Sequence, residues 1–322
     1  MDYRQFFHVL KTLKNKTKKS YAFILFDVFI CAIKYEAGYM DYLVFELYKY
    51  NDLERSTFVT RGISNKIVKR YNDLSFSYIL ENKIIFNYIF SDYLGREWID
   101  LRKSSLDDFE EYIQGKSELF LKPVDQICGK GIKKVDVDDF GNAEELLKYI
   151  KDNDIHLVED VATQNETIKA LNPSSINTVR LVTINNKGVV DVIFGTLRMG
   201  DGKYVDNLNM GGLAAVINSK TGIVKSKATT KMGNLFDKHP TTNIEILGLE
   251  IPNYDKCIEL VKKAANMIPE IGYIGWDVYV TEDGAALIEA NHFPGHDLYQ
   301  LPGQIENNTG LLPHFKEYIN FL

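Results

Sequence analysis

The sequence predicts an α+β protein in which a mainly helical N-terminal lobe precedes a region of short strands and tight turns. Up to about Ser91, glycine and proline are sparse, and apolar residues recur at spacings of three and four, as in Phe23 to Ile33 and Tyr39 to Tyr50. That is helical periodicity, whereas a set of strands would need frequent turn signals. From about Glu118 the texture changes to short apolar runs separated by Gly, Asn and Asp, which is strand-and-turn composition. A chain of 322 residues is long enough to wrap two or three subdomains around one site.

Within the second region, Leu119-Phe120-Leu121 reads as a strand running into Lys122-Pro123. Asn142 to Ile150 has helical spacing, with Asn142 as N-cap and Glu144 and Glu145 in the first turn, where acids complement the helix dipole. Strands are expected at Ile155 to Glu159, Thr178 to Ile184 and Val189 to Leu197, the last two joined through the hairpin signal Asn185-Asn186-Lys187-Gly188. Asp255 to Met267 is an amphipathic helix. Gly275 to Thr281 and Ala285 to Glu289 form a second hairpin closed by Glu282-Asp283-Gly284.

Composition narrows the function classes. The hydrophobic fraction of 45% and the aromatic share of 12% are those of a folded globular protein. A net charge of -6 gives no electrostatic reason to expect nucleic acid. Lys11, Lys14, Lys16, Lys18 and Lys19 form one local basic run, readable as contact with an anionic membrane surface or an acidic partner, or more simply as a solvated helix end. Cys31, Cys128 and Cys257 are far apart, without zinc-site or disulfide spacing, and fit a reducing cytoplasm. The apolar stretch Tyr21 to Ile33 is interrupted by Asp27 and too short to span a bilayer, and Asp2 with a polar lead-in does not suit a removable signal. His292 and His296 have the spacing of a helical zinc pair, but Pro294 and Gly295 stand between them, so no zinc is expected.

The C-terminal hairpin carries the clearest chemistry. Residues two apart on a strand share a face, so Glu289 and Asn291 point the same way, and pairing through the Asp283-Gly284 turn brings Asp277 beside Glu289. Two carboxylates and an amide oxygen suit Mg2+, which takes a few protein ligands and fills its octahedron with water and phosphate oxygens. The same acids would also suit a solvated hairpin, but the flanking residues Ile274-Gly275-Trp276 and Ala285 to Ile288 are apolar, where unpaired charge is costly.

Upstream, Lys122 projects a cation from a strand end, and Gly129-Lys130-Gly131 can bring backbone amides against phosphate oxygens or simply close a hairpin. It is neither a P-loop nor a dinucleotide fingerprint. Glu159, Asp160 and Val161 end a strand in acids, suited to the edge of a flat base and a hydroxyl, or equally to structural capping.

Taken in order, Lys83 in ENKIIF, Lys122 in FLKP, the GKG loop, LVEDV, and Trp276-Asp277 with IEAN resemble the ATP-grasp series. From about Glu81 onward the segments SSINTVRLVT, DNLNMGGLAAVINSKTG, KHPTT and IGWDVYVTEDGAALIEANHFPG resemble the branch associated with sugar transfer and polysaccharide biosynthesis, related to alpha-L-glutamate ligases. The resemblance implies an ATP-grasp domain over 81–322, after a helical lobe over 1–80. It divides that domain into a small nucleotide-clamping part near 115–165 and a metal and substrate part near 166–322.

It implies ATP and Mg2+ as cofactors, Lys83 and Lys122 on phosphates, Gly129 to Gly131 closing over them, and Glu159 to Val161 as the adenine hinge. Asp277, Glu289 and Asn291 match the family's metal ligands, and Arg180 and Arg198 are candidates for stabilising the transferring phosphoryl group. The implied reaction is carboxylate–amine ligation through an acyl phosphate on small sugar-linked or amino-acid-like substrates. A kinase acting on a hydroxyl and a nucleotide-binding scaffold are the alternatives. The helical lobe departs from the α/β domain that many family members carry there.

Overall fold

A computed structural model describes residues 3–124, 131–202, 208 and 211–319. It is α+β, with a helical N-terminal region followed by two antiparallel sheets. Helices α1 (Tyr3–Thr17) and α2 (Tyr21–Tyr35) form an antiparallel hairpin, followed by α3 (Tyr39–Val44), α4 (Asp52–Arg55), α5 (Arg61–Tyr71), α6 (Tyr78–Glu81) and α7 (Lys83–Ile89). The acid that interrupts α2 has a partner: Asp27 accepts bonds of 2.7 and 2.9 Å from the Arg55 guanidinium, whose Nε donates to Leu47 O. The expected helical run from Tyr39 to Tyr50 is broken, because Glu46 adopts φ 55° between α3 and a 3-10 turn at Leu47–Lys49.

Next come β1 (Trp98–Asp100), α8 (Leu106–Ile113), β2 (Glu118–Lys122), β3 (Lys133–Asp136), α9 (Ala143–Asp152) and β4 (Leu157–Asp160). The strands pair in the order β1-β4-β2-β3. Asn142 caps α9 as expected, its side chain accepting from the Glu145 N–H. On this sheet Leu119, Leu121 and Val158 enter a core under α8 and α9, so by strand alternation Phe120, Lys122 and Glu159 face the other way.

After α10 (Glu166–Leu171) a larger sheet is built from β5 (Thr178–Asn186), β6 (Val189–Met199), β7 (Leu213–Ile217), β8 (Ala228–Thr229), β9 (Leu235–Phe236), β10 (Tyr273–Val280) and β11 (Ala285–Asn291), with α11 (Tyr254–Met267) before β10 and α12 (Leu312–Phe315) near the end. Its order is β11-β10-β5-β6-β7-β8-β9, which makes β11 an edge strand. Ile274, Trp276, Val278 and Val280 enter the core that contains α11 residues such as Cys257 and Val261. The indole N–H of Trp276 donates to Thr183 Oγ1 at 2.9 Å. The opposite face receives Tyr273, Val182 and Ile184 under α5, and it also carries Arg180 and Asp277.

Candidate functional site

Between the two sheets lies a cleft of about 400 Å3, within the range of small-molecule sites. Lys122 and Glu159 reach it from the small sheet, Lys83, Phe86 and Asn87 from α7, and Arg180, Arg198, Glu289 and Asn291 from the large sheet. Residues that span more than two hundred positions in sequence therefore meet at one site.

On the large sheet, register does the positioning. Glu289 pairs with Asp277, and Asp277 pairs with Arg180, so the three stand in a row across β11, β10 and β5. The expected Asp277–Glu289 pairing is present. Arg180 pairs with Thr196, and Arg198 follows two residues along β6, on the same face. Asp277 nevertheless does not line the cleft. It lies behind the arginines, with Oδ1 accepting from Arg180 Nε and Oδ2 accepting from Arg180 Nη2 at 2.7 Å and Arg198 Nη1 at 2.8 Å. Burial raises the pKa of the Asp277 carboxyl, but the two guanidiniums reverse this and hold it well below the usual carboxylate range. Arg180 is held further by donation from Nη1 to Pro294 O at 3.0 Å. Gly275 makes this possible, since a Cβ there would stand 3.0 Å from both Arg180 Nη1 and Pro294 Cα.

On the small sheet, Glu159 is the centre of a second network. Its carboxylate accepts from Arg96 Nε at 2.7 Å, from Lys122 Nζ, and from Asn87 Nδ2 at 2.8 Å. Burial again acts against ionisation, and Arg96 with Lys122 overcomes it, so the group stays ionised below the normal range. Burial lowers the pKa of Lys122, with Glu159 opposing. Nothing in the sequence marks Arg96. Its Nη1 also donates to Leu287 O at 2.6 Å, so one side chain joins the small sheet's central acid to the edge strand of the large sheet. Its neighbour Gly95 (φ 60°) has no room for a side chain, since a Cβ would fall 2.7 Å from both Ala286 Cβ and Tyr279 Oη.

The remaining expected residues are placed differently. Asp160 points to the far side of β4, where it accepts from Tyr112 Oη and Lys116 Nζ, both at 2.8 Å. Val161 follows the strand end and does not line the cleft. Gly131 (φ 72°) is in the turn before β3, and its neighbour Ile132 does line the cleft. Gly129 and Lys130 lie outside the described residues.

Of the three expected Mg2+ ligands, Glu289 and Asn291 line the cleft. Glu289 and Asn291 share a face and present a carboxylate and an amide. The Glu289 pKa is raised by burial and by Asp277, the condition a cation relieves. Asn291 Nδ2 is buried without a hydrogen-bond partner among the described residues, so rotation of the amide could turn its oxygen inward without breaking a bond there. Asp277 Oδ1, with one bond accepted, keeps a lone pair. Among the described residues no three His, Cys, Asp or Glu side chains group as a metal site, so an ion here would need phosphate and water oxygens for most of its shell.

Two antiparallel sheets facing each other across a cation-lined cleft are the class of architecture that the motif series implies. The chain belongs to the sugar-transfer associated ATP-grasp family, whose model matches residues 63–318. No curated protein matches the sequence significantly. Solved structures with a similar fold include an L-amino acid ligase from Bacillus licheniformis (13% identity, TM-score 0.42, 70% of this chain and 44% of that one). The ATP-grasp ligase PsnB complexed with minimal precursor has 13% identity and a TM-score of 0.43, with coverage of 77% and 62%. The D-alanine-D-alanine ligase from Coxiella burnetii has 11% identity and a TM-score of 0.40, with coverage of 74% and 52%. The chain spans less than two thirds of each of those chains.

Proposed function

We propose that this protein is an ATP-dependent carboxylate–amine ligase that releases ADP and phosphate and works on sugar-linked or amino-acid-like substrates in polysaccharide or cell-surface biosynthesis. The observation that carries the reading is the meeting of Lys83, Lys122, Arg180 and Arg198 with Glu289 and Asn291 around one cleft. Four cations from separate elements suit a triphosphate, and a neighbouring carboxylate and amide suit the metal that accompanies it. Family membership supports the nucleotide, and the family's description supports the sugar context.

In this reading Lys83 and Lys122 hold phosphate oxygens, and the backbone of 159–161 meets the adenine edge. Glu289 and Asn291, with Asp277 behind them, hold Mg2+, which when bound offsets phosphate charge and orients the transferring group. Arg180 and Arg198 stabilise charge as the γ-phosphoryl group passes to the substrate carboxylate. Asp277 fixes their planes in advance, so little reorganisation is needed at the moment of transfer. The nucleotide-clamping part is assigned to 115–165 and the metal and substrate part to 166–322, after a helical lobe over 1–80. Use of ATP fits a cytoplasmic enzyme.

Hydroxylamine provides the test. An acyl phosphate is electrophilic at carbon, so hydroxylamine replaces the natural amine and gives a hydroxamate, with ADP and no AMP. A panel of amino acids and uronic acids screened for ADP release supplies the carboxylate. ADP with a stable phosphoester and no hydroxamate indicates a kinase, and AMP with pyrophosphate rejects both readings.

A further inference from the structure

Helix α2 is apolar on the wrong side. Its inner face, Ile24, Cys31 and Tyr35, packs into the N-terminal core, and Asp27 is taken by Arg55. The outer face of a helix in water is ordinarily polar. Here it carries Phe26, Phe29 and Ile33, exposed at 66, 59 and 67%, and Leu25 is exposed beside them. The spacing 26, 29, 33 is that of one helical stripe. At the end where α1 turns into α2, the stripe runs into the lysine run. Lys19 Nζ sits 4.3 Å from the Phe23 ring centroid and Lys14 Nζ 5.8 Å from that of Tyr21.

Charge decides what covers this face. Among the described residues, Lys11, Lys14, Lys18 and Lys19 make no close ion pair with a carboxylate, although Lys16 reaches Glu46 and Lys19 acts on Asp27 at longer range. Most acids of the lobe are already paired with cations: Asp27 with Arg55, Glu36 with Lys66, Asp41 with His296, Glu46 with Lys16 and Lys49, and Asp52 with Lys34, whereas Glu54 bonds Asn51 and Asn308 and Asp73 bonds Ser75. A second copy of this chain would thus bring little spare negative charge from this lobe, Glu54 and Asp73, to meet the lysines. An anionic bilayer surface supplies both components, headgroup charge for the lysines and an apolar layer just beneath it for the phenylalanines. Helix α2, with 15 residues, extends about 22 Å, too short to cross a bilayer of about 30 Å, and no described helix is long and apolar enough to do so.

We propose that the α1–α2 hairpin is an interfacial anchor that docks the protein on an anionic membrane surface, with Phe26, Phe29 and Ile33 inserted and Lys14, Lys18 and Lys19 on lipid headgroups. The lobe is tied to the cleft, since Asp41 accepts from His296 at 2.8 Å in the loop that follows β11. Docking therefore fixes how the cleft faces the bilayer. The proposal does not rest on the assigned reaction, and its test uses no substrate.

The full chain is sedimented with vesicles of phosphatidylcholine mixed with phosphatidylglycerol, and with vesicles of phosphatidylcholine alone. The expected result is binding to the anionic vesicles, weakened by salt, and little binding to the neutral ones. Lys18→Glu/Lys19→Glu is expected to lower partitioning by about tenfold or more. Phe26→Ser/Phe29→Ser is expected to lower it comparably, with circular dichroism unchanged in both variants. Failure of the parent to bind anionic vesicles, or binding that the lysine reversals leave unchanged, overturns the proposal. So does light scattering that shows a dimer which Phe26→Ser/Phe29→Ser converts to monomer, because the face is then covered by a second copy.

Discussion

The cleft is flanked by two buried networks with the same composition, one carboxylate between two cations, and they differ in where the carboxylate stands. On the small sheet the acid, Glu159, lines the cleft, and one of its cations, Arg96, is turned away onto the backbone of the other sheet. On the large sheet the acid, Asp277, stands behind, and both of its cations, Arg180 and Arg198, line the cleft. The first arrangement is a staple and the second a platform. Arg96 donates to carbonyls of the edge strand, whereas Asp277 holds two guanidiniums at the cleft wall.

This contrast predicts how each network fails. Arg96→Met is expected to have the largest effect on stability, about 3–5 kcal/mol in urea denaturation, because it leaves a buried carboxylate short of a cation and removes the bridge between the sheets. A loss under about 1 kcal/mol would mean that the staple carries no load. Glu289→Gln is expected to abolish turnover while keeping the fold, since Glu289 is the carboxylate of the proposed metal set that faces the cleft. Activity within about threefold of the parent at saturating Mg2+ would remove Glu289 from that set.

Acid should loosen the staple in a defined direction. The folded-state pKa of Glu159 lies below its ordinary 4.5, so its network contributes stability that is complete above that value and is lost as pH falls below it toward the folded pKa. Glu159→Gln should show a flatter loss of stability than the parent below about pH 4.5, and parallel curves would contradict the assignment. The smallest effect expected is that of Lys122→Met on nucleotide affinity. About tenfold weakening by calorimetry is anticipated, because one of the cations proposed to meet phosphate is removed while Arg96 still holds Glu159.

Much of the large-sheet site was legible in the sequence because strand geometry has a period of two. The turn at Asp283-Gly284 sets the register as far as Val278 and Leu287, Glu289 and Asn291 share one face, and a bulge between Asp277 and Val278, which nothing in the sequence marks, shifts the pairing by one residue and puts Asp277 opposite Glu289. What claims Asp277 was not legible, since Arg180 and Arg198 come from strands 97 and 79 residues away and nothing local marks the contact. The staple is illegible in the sequence for a related reason. Arg96 stands just before a strand of three residues, too short to show alternation, and its partners are Glu159 and the carbonyl of Leu287. Asp160 reads like Glu159 in sequence, but alternation sends it to the opposite face, onto Tyr112 and Lys116. The outer stripe of α2 shows the limit of periodicity from the other direction. Apolar residues on every side of a helix look like a buried helix until the fold leaves one side exposed.

The most direct test of the central claim, that the platform arginines and the cleft lysines together bind a metal-nucleotide, is calorimetric titration of ATP with and without Mg2+ into the parent, Arg198→Met and Arg96→Met. The account predicts Mg-ATP binding by the parent and a drop of about tenfold or more for Arg198→Met. For Arg96→Met it predicts nearly parental affinity in the fraction that remains folded. Unchanged affinity in Arg198→Met, with the loss confined to Arg96→Met, would contradict it.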